Sequence, residues 1–148
     1  MALPALSADG VVLRADAADW RAAVRLSGAA LVAAGSTRPG YSDEMIRMIE
    51  EHGPYVVIAP GLALAHARPG PEVLADGLSV VTLATPVVFG HPHNDPVSVV
   101  LGLAIRHSDS HLASVAAIAN LFNDSSVIGA LMGATSAEQV LDIMRFPE

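Results

Sequence analysis

The chain has six histidines and no cysteine. Disulfides, thiolate metal sites and thiol nucleophiles are therefore excluded, and imidazole is the side chain best equipped for nucleophilic chemistry near neutral pH. His66 lies in the segment Ala59-Pro60-Gly61-Leu62-Ala63-Leu64-Ala65-His66-Ala67-Arg68-Pro69. A short apolar stretch enters a Pro-Gly turn, and a second extended stretch ends on the imidazole. A ring at a strand end stands on rigid backbone and faces a loop-lined surface, where a nucleophile can meet a second protein. Arg68, two residues on, falls on the same side of an extended chain and can hold an anion near the ring. The structural alternative is an edge-of-core histidine bonded to a backbone carbonyl.

His111 begins an amphipathic segment. The positive end of a helix dipole disfavours its protonation and offers free N–H groups to an anion. If His111 meets His66, one ring can attack phosphorus while the other, with the helix end, stabilises charge. The alternative for His111 is a capping residue. His91-Pro92-His93 invites a metal reading, as in a metal-dependent hydrolase. A third ligand at helical spacing is missing, however, so the reading is a loop and no metal is expected. His52 falls near a helix end and reads as a residue that caps carbonyls and faces water.

These residues need elements to position them. Val11 to Leu13 reads as a short strand. A helix follows from about Asp19 to Ala34, with Asp16 or Asp19 as its cap and Gly35 as its stop. Tyr41 to Glu51 is a second helix, burying Met45, Ile46, Met48 and Ile49, and Gly53-Pro54 ends it. Tyr55–Ala59 and Leu62–His66 flank the Pro60-Gly61 turn. Leu78–Ala84 is a strand buried on both faces, Val87–Phe89 a separate short strand, and Val97–Ile105 another. Ser108 to Ser110 offer caps for a helix from His111 to Phe122, with Leu112, Val115, Ile118, Ala119 and Phe122 inward. Asp124 or Ser125 caps a short helix to Met132. Ser136 and Gln139 form a capping box for a last helix ending near Arg145. The expected fold is α/β, with a central mixed sheet flanked by helices.

The 148 residues suffice for one domain, 1–148, with a substantial core. Hydrophobic residues are 52% and charged residues 16%, which excludes disorder. The net charge is −7 and every basic residue is arginine, so no basic stripe for nucleic acid exists. The acidity suits solubility or a basic protein partner. No apolar run has the length of a membrane span, and no secretory signal is visible, so no membrane insertion and a cytoplasmic location are expected.

The whole pattern resembles a known family. Trp20 and its helix, Gly35, Tyr41 with Met45-Ile46, and Gly53-Pro54-Tyr55 match its opening. Val56 to Pro60, Gly61-Leu62-Ala63-Leu64, His66-Ala67-Arg68-Pro69, Asn94-Asp95-Pro96-Val97 and Ser110-His111-Leu112 continue it. The chain is similar to the enzyme IIA domain of the sugar phosphotransferase system, in the mannitol/fructose superfamily, and within it to the ascorbate-type branch.

The resemblance implies a three-layer α/β/α sandwich and a cytoplasmic phosphocarrier without cofactor. In that relay phospho-HPr is the donor and a cysteine of enzyme IIB the acceptor. Since this chain has no cysteine, the IIB partner must be a separate chain. By position His66 is the phosphoryl acceptor and His111 its support. Where the mannitol branch has an arginine this chain has Met48, Arg47 beside it points elsewhere, and Arg68 is the better anion holder. Asn94 matches a position near the site. Leu62, Leu64, Ala65 and Ala67 are expected to supply part of an apolar docking rim, and a homodimer is compatible with the composition. An ascorbate-like or pentitol-like substrate is implied for the system. The family usually has proline where Ala65 stands. This departure and the acidic surface motivate an alternative, a regulatory module whose phosphorylation signals without feeding transport.

Overall fold

A computed structural model describes residues 4–144. Five strands form one mixed sheet in the order β1-β4-β5-β3-β2. They are β1 (Val11–Ala15), β2 (Val57–Ala59), β3 (Leu62–His66), β4 (Gly77–Val87) and β5 (Val97–Ala104). β1 runs parallel to β4 and β3 parallel to β5, while β4–β5 and β2–β3 are antiparallel. Helices α1 (Trp20–Ala33) and α2 (Tyr41–His52) cover one face. The other is covered by α4 (Ser126–Gly133) and α5 (Ala137–Ile143), with α3 (Ser108–Leu121) contributing Ile118 to the same cluster.

Side-chain alternation divides the core between these layers. Ala63, Ala65, Val81, Leu83 and Val100 join Val24, Leu31, Tyr41 and Met45 on the α1–α2 side. Leu62, Leu64, Leu78, Val80, Leu101 and Leu103 join Ile118, Leu131 and Val140 on the other. Alternation along β3 then sends His66 to the face of Leu62 and Leu64. α1 packs close to α2 at Gly28, where a Cβ would overlap the Ser42 hydroxyl and lie 3.0 Å from Ser42 Cβ and 3.3 Å from Met45 Cε. Gly28→Ala is therefore expected to destabilise by about 1–3 kcal/mol, read as a lower urea midpoint at unchanged slope.

The end signals act largely as read. Asp19 accepts the Ala22 N–H at 2.9 Å to start α1, and Gly35 follows its end with φ +81°. Asp124, not Ser125, supplies the side-chain bonds before α4, accepting from Ser126 N at 3.0 Å and Ser126 Oγ at 2.6 Å. Ser136 caps α5, but Gln139 returns its bond to Thr135 N at 2.6 Å. The expected end near Arg145 lies outside the described residues.

Three expectations are corrected. β4 is one strand through Pro86, not two. Its register slips between Thr82 and Val87, and Ala84, Thr85 and Pro86 are exposed there, so the missing proline N–H costs no rung. α3 starts at Ser108 with His107 as its cap residue, and no side chain caps it. Its buried face runs through Ser114, Ala117 and Ile118, leaving Leu112 74% exposed and Ala119 exposed.

Candidate functional site

The topology brings His66 and His111 together. β3 and β5 run parallel in register, with His66 opposite Leu103. β5 ends at Ala104, and the chain turns within a few residues into α3, whose first turn carries His111. Both imidazoles therefore lie beyond the carboxyl ends of two paired parallel strands, the usual place for ligands in such sheets. The ring centroids are 5.2 Å apart, tilted by 53°.

The two rings differ in their bonding. His66 Nδ1 lies 2.8 Å from the Leu64 carbonyl oxygen. A carbonyl only accepts, so Nδ1 carries the proton and Nε2 keeps its lone pair. The feature foreseen as the structural alternative, a bond to a backbone carbonyl, is thus what leaves Nε2 nucleophilic. His111 Nδ1 is buried and makes no hydrogen bond. A buried unmet acceptor is tolerated better than a buried unmet donor, so the favoured tautomer carries its proton on Nε2. The pair then consists of one nucleophilic nitrogen and one N–H donor.

Burial lowers the pKa of His66 below 6.5. The Leu64 bond raises it in part, and His111 lowers it again. Burial also lowers the pKa of His111, the direction expected from its helix position but with a different cause. Both shifts favour the neutral rings near pH 7.

They line a cavity of about 390 Å³ shared with Arg68, His52 and Tyr55, with Met48 and Ala67 as apolar wall. Among the described residues Arg68 has no ion-pair partner. Its charge is felt by the Tyr55 phenol, whose pKa burial raises and Arg68 lowers in part. Arg47 lines only the adjoining groove, near Glu44.

Three residues had not been singled out for the site. Tyr55 stands edge-on to His66, with centroids 5.7 Å apart, and the His52 ring is 6.2 Å from Tyr55. His52 thus lines the cavity, whereas α2 ends on Gly53, whose N–H donates to the Ile49 carbonyl. Tyr41 anchors the backbone after His66: its hydroxyl accepts the Ala67 N–H at 3.0 Å and donates to the Leu103 carbonyl at 2.7 Å.

Asn94 is not brought to the site. Its carbonyl accepts the Gly61 N–H, and Gly61 precedes β3 at the end opposite His66. At about 3.3 Å per residue the five steps from Gly61 to His66 separate them by roughly 16 Å. The apolar rim also lies elsewhere. Leu62, Leu64, Ala65 and Ala67 are buried, because β3 is an interior strand covered on both faces. Exposed apolar surface at the cavity belongs to Tyr55, 41% exposed, and the exposed Leu112 follows His111 in α3.

In the His91-Pro92-His93 loop, His91 Nδ1 accepts the backbone N–H of His93 and Asn94 at 3.1 and 3.0 Å. The Asp95 carboxylate accepts three more, from Phe89, Gly90 and His91. His91 and Asp95 therefore brace the loop. Among the described residues no group of three or more His, Asp or Glu could hold a metal ion, and no single helix is long and apolar enough to cross a membrane.

A family model described as phosphoenolpyruvate-dependent sugar phosphotransferase system, EIIA 2, matches residues 5–146. An ascorbate-specific PTS system EIIA component of Escherichia coli (strain K12) is 38% identical over 133 residues, 89% of this chain and 86% of the relative. A crystal structure of IIA mannitol from Escherichia coli superposes with a TM-score of 0.82 at 27% identity, covering 95% of this chain and 99% of that one. The enzyme IIA in a complex with phosphorylated enzyme IIB for mannitol, also from Escherichia coli, gives 0.81 at 27% identity, over 94% and 96%.

Proposed function

Because the chain belongs to the phosphotransferase-system enzyme IIA family, a family of histidine phosphocarriers that relay phosphate to enzyme IIB, we propose that His66 is the histidine that carries the phosphoryl group here. The observation that supports this most is the His66 imidazole itself, held by Nδ1–H on the Leu64 carbonyl with Nε2 unprotonated and a second ring 5.2 Å away.

In the reaction the Nε2 lone pair attacks phosphorus of phospho-HPr. The new N–P bond forms as the donor's N–P bond breaks, and the donor imidazole leaves with the electron pair. In the second step a cysteine thiolate of a separate enzyme IIB chain attacks, and His66 leaves as neutral imidazole. Positioning and charge stabilisation carry such a transfer. His111 Nε2–H and the Arg68 guanidinium supply the charge stabilisation, and the exposed Tyr55 and Leu112 supply apolar contact for both partners. The chain acts as one enzyme IIA domain in the cytoplasm, and its system is ascorbate-specific like the relative's.

The test is incubation with phosphoenolpyruvate, enzyme I and HPr, followed by addition of ascorbate-type or mannitol-type IIB. Acid-labile, base-stable phosphate that ascorbate-type IIB discharges rapidly is expected. Phosphorylation that no IIB discharges favours the regulatory alternative, and no uptake at all overturns the reading.

A pH dependence follows. Folding lowers the pKa of both imidazoles, so the unfolded chain binds more protons between the folded values and 6.5. Their contribution to stability is complete above that window and is lost as pH falls through it. Nucleophilic Nε2 also survives below 6.5, so with HPr kept competent, uptake on His66 is expected to fall only at lower pH. Chemical denaturation at pH 7.5 and pH 5.5, beside histidine titration by NMR, checks both directions.

A further inference from the structure

β3 leaves the sheet immediately after its nucleophile, and one buried side chain manages the departure. Tyr41, the first residue of α2, is 0% exposed. His66 pairs with Leu103 in the parallel ladder. At the next step the two strands are joined through a phenol instead of directly: the Ala67 N–H donates to the Tyr41 hydroxyl at 3.0 Å, and that hydroxyl donates to the Leu103 carbonyl at 2.7 Å. The Ala67 carbonyl, 3.3 Å away, is a second acceptor within reach. One hydroxyl thus meets two buried backbone groups that the strand's departure would orphan. Burial pushes the phenol pKa up to about 12, so the proton needed for the Leu103 bond stays in place.

We propose that Tyr41 is a positioning residue for His66, fixing the His66–Ala67 peptide and through it the direction of the imidazole toward His111. This rests on the reading of His66 as phosphoryl acceptor. Tyr41 packs in the core layer with Ala63, Ala65 and Ala67, the face of β3 opposite the His66 side chain. It therefore acts through the backbone and not on the phosphoryl group. Ala65 makes the tie matter, since alanine leaves the preceding φ free where proline would lock it. The constraint on the strand end must then come from hydrogen bonds.

Tyr41→Phe keeps the ring and deletes the hydroxyl. Val140→Ala, in α5 and away from both imidazoles, serves as a control for stability loss alone. For Tyr41→Phe we expect a folded protein whose kcat for phosphoryl uptake falls about tenfold with KM for phospho-HPr within about twofold. Its His66 titration should move up toward 6.5 as the strand end admits water. Val140→Ala should change neither, at comparable loss of stability. In wild type the Ala67 amide should exchange as slowly as that of Leu64, a test that needs no variant. Wild-type kcat and His66 titration in Tyr41→Phe, an equal kcat loss in Val140→Ala, or fast exchange at Ala67 would each overturn the proposal. Absence of uptake in wild type would instead remove the reading of His66 as acceptor, while titration and exchange still decide whether Tyr41 holds it.

Discussion

His66→Ala is expected to take up no phosphoryl group, falling to background where wild type approaches one per chain. In the role proposed for this site the acceptor atom is His66 Nε2, left free because Nδ1–H is committed to the Leu64 carbonyl. Alanine removes that atom, and no neighbour replaces it in place: the other cavity imidazole, His52, is tied to the site only through Tyr55, which touches both rings. His111 has its Nδ1 buried, and by the tautomer argument its Nε2 carries the proton. The Arg68 guanidinium has no lone pair to offer at neutral pH. The substitution should leave the fold intact, because the lost bond is local and a net hydrogen bond contributes about 1 kcal/mol. Radiolabelled phosphoenolpyruvate with enzyme I and HPr, read as acid-labile and base-stable label, gives the answer. If His66→Ala labels as well as wild type, the acceptor is another residue and the roles assigned to this site are wrong.

The alternation of apolar residues in Leu62–His66 and the turn residues before it were enough to end a strand on His66. Helix caps at Asp19 and Ser136 acted through local chemistry, so they too were legible. What local pattern could not supply is which strands pair. The meeting of His66 with His111 depends on β3 lying parallel to β5, and no periodicity encodes that neighbour. Resemblance to a family supplied it instead.

The same gap explains the errors. Leu62 and Leu64 looked available because the apolar residues nearest His66 in sequence were assigned to a docking rim, whereas β5 and β2 flank their strand on both sides. Leu112 looked buried because it shares an i, i+3, i+7 spacing with Val115 and Ala119. The face that α3 buries runs through Ser114, Ala117 and Ile118, and Leu112 stands outside it. Tyr55 was only partly within reach of the sequence: the Pro60-Gly61 turn returns β3 alongside the segment that carries it, but the register slips between Val57 and Ala59, so counting outward from the turn does not give its place 5.7 Å from the His66 ring. Tyr41 was not, since its value lies in two backbone groups distant in sequence.

His111 separates the acts of receiving a phosphoryl group and stabilising it. Its ring lies 5.2 Å from His66, and its Nε2–H is the donor that the favoured tautomer leaves for the cavity. A donor aimed at charge that develops in transfer is typically worth about 10²-fold, so His111→Ala should slow uptake and discharge by that order. His111→Gln should lose far less, because its amide still donates from the first turn of α3. Both variants should carry their phosphate on His66, and the double variant His66→Ala, His111→Gln should be inert. The phosphoryl dianion supplies a further reading of the same contact. Negative charge beside an imidazole favours its protonated form, so the His111 pKa, lowered by burial in the free protein, should rise when His66 is phosphorylated. NMR titration before and after phosphorylation reports it. Phosphate recovered on His111 in wild type would exchange the two roles. Full transfer rates in His111→Ala, with no rise in the His111 titration, would reduce the residue to part of the helix start and leave Arg68 as the principal counter-charge for the phosphoryl group.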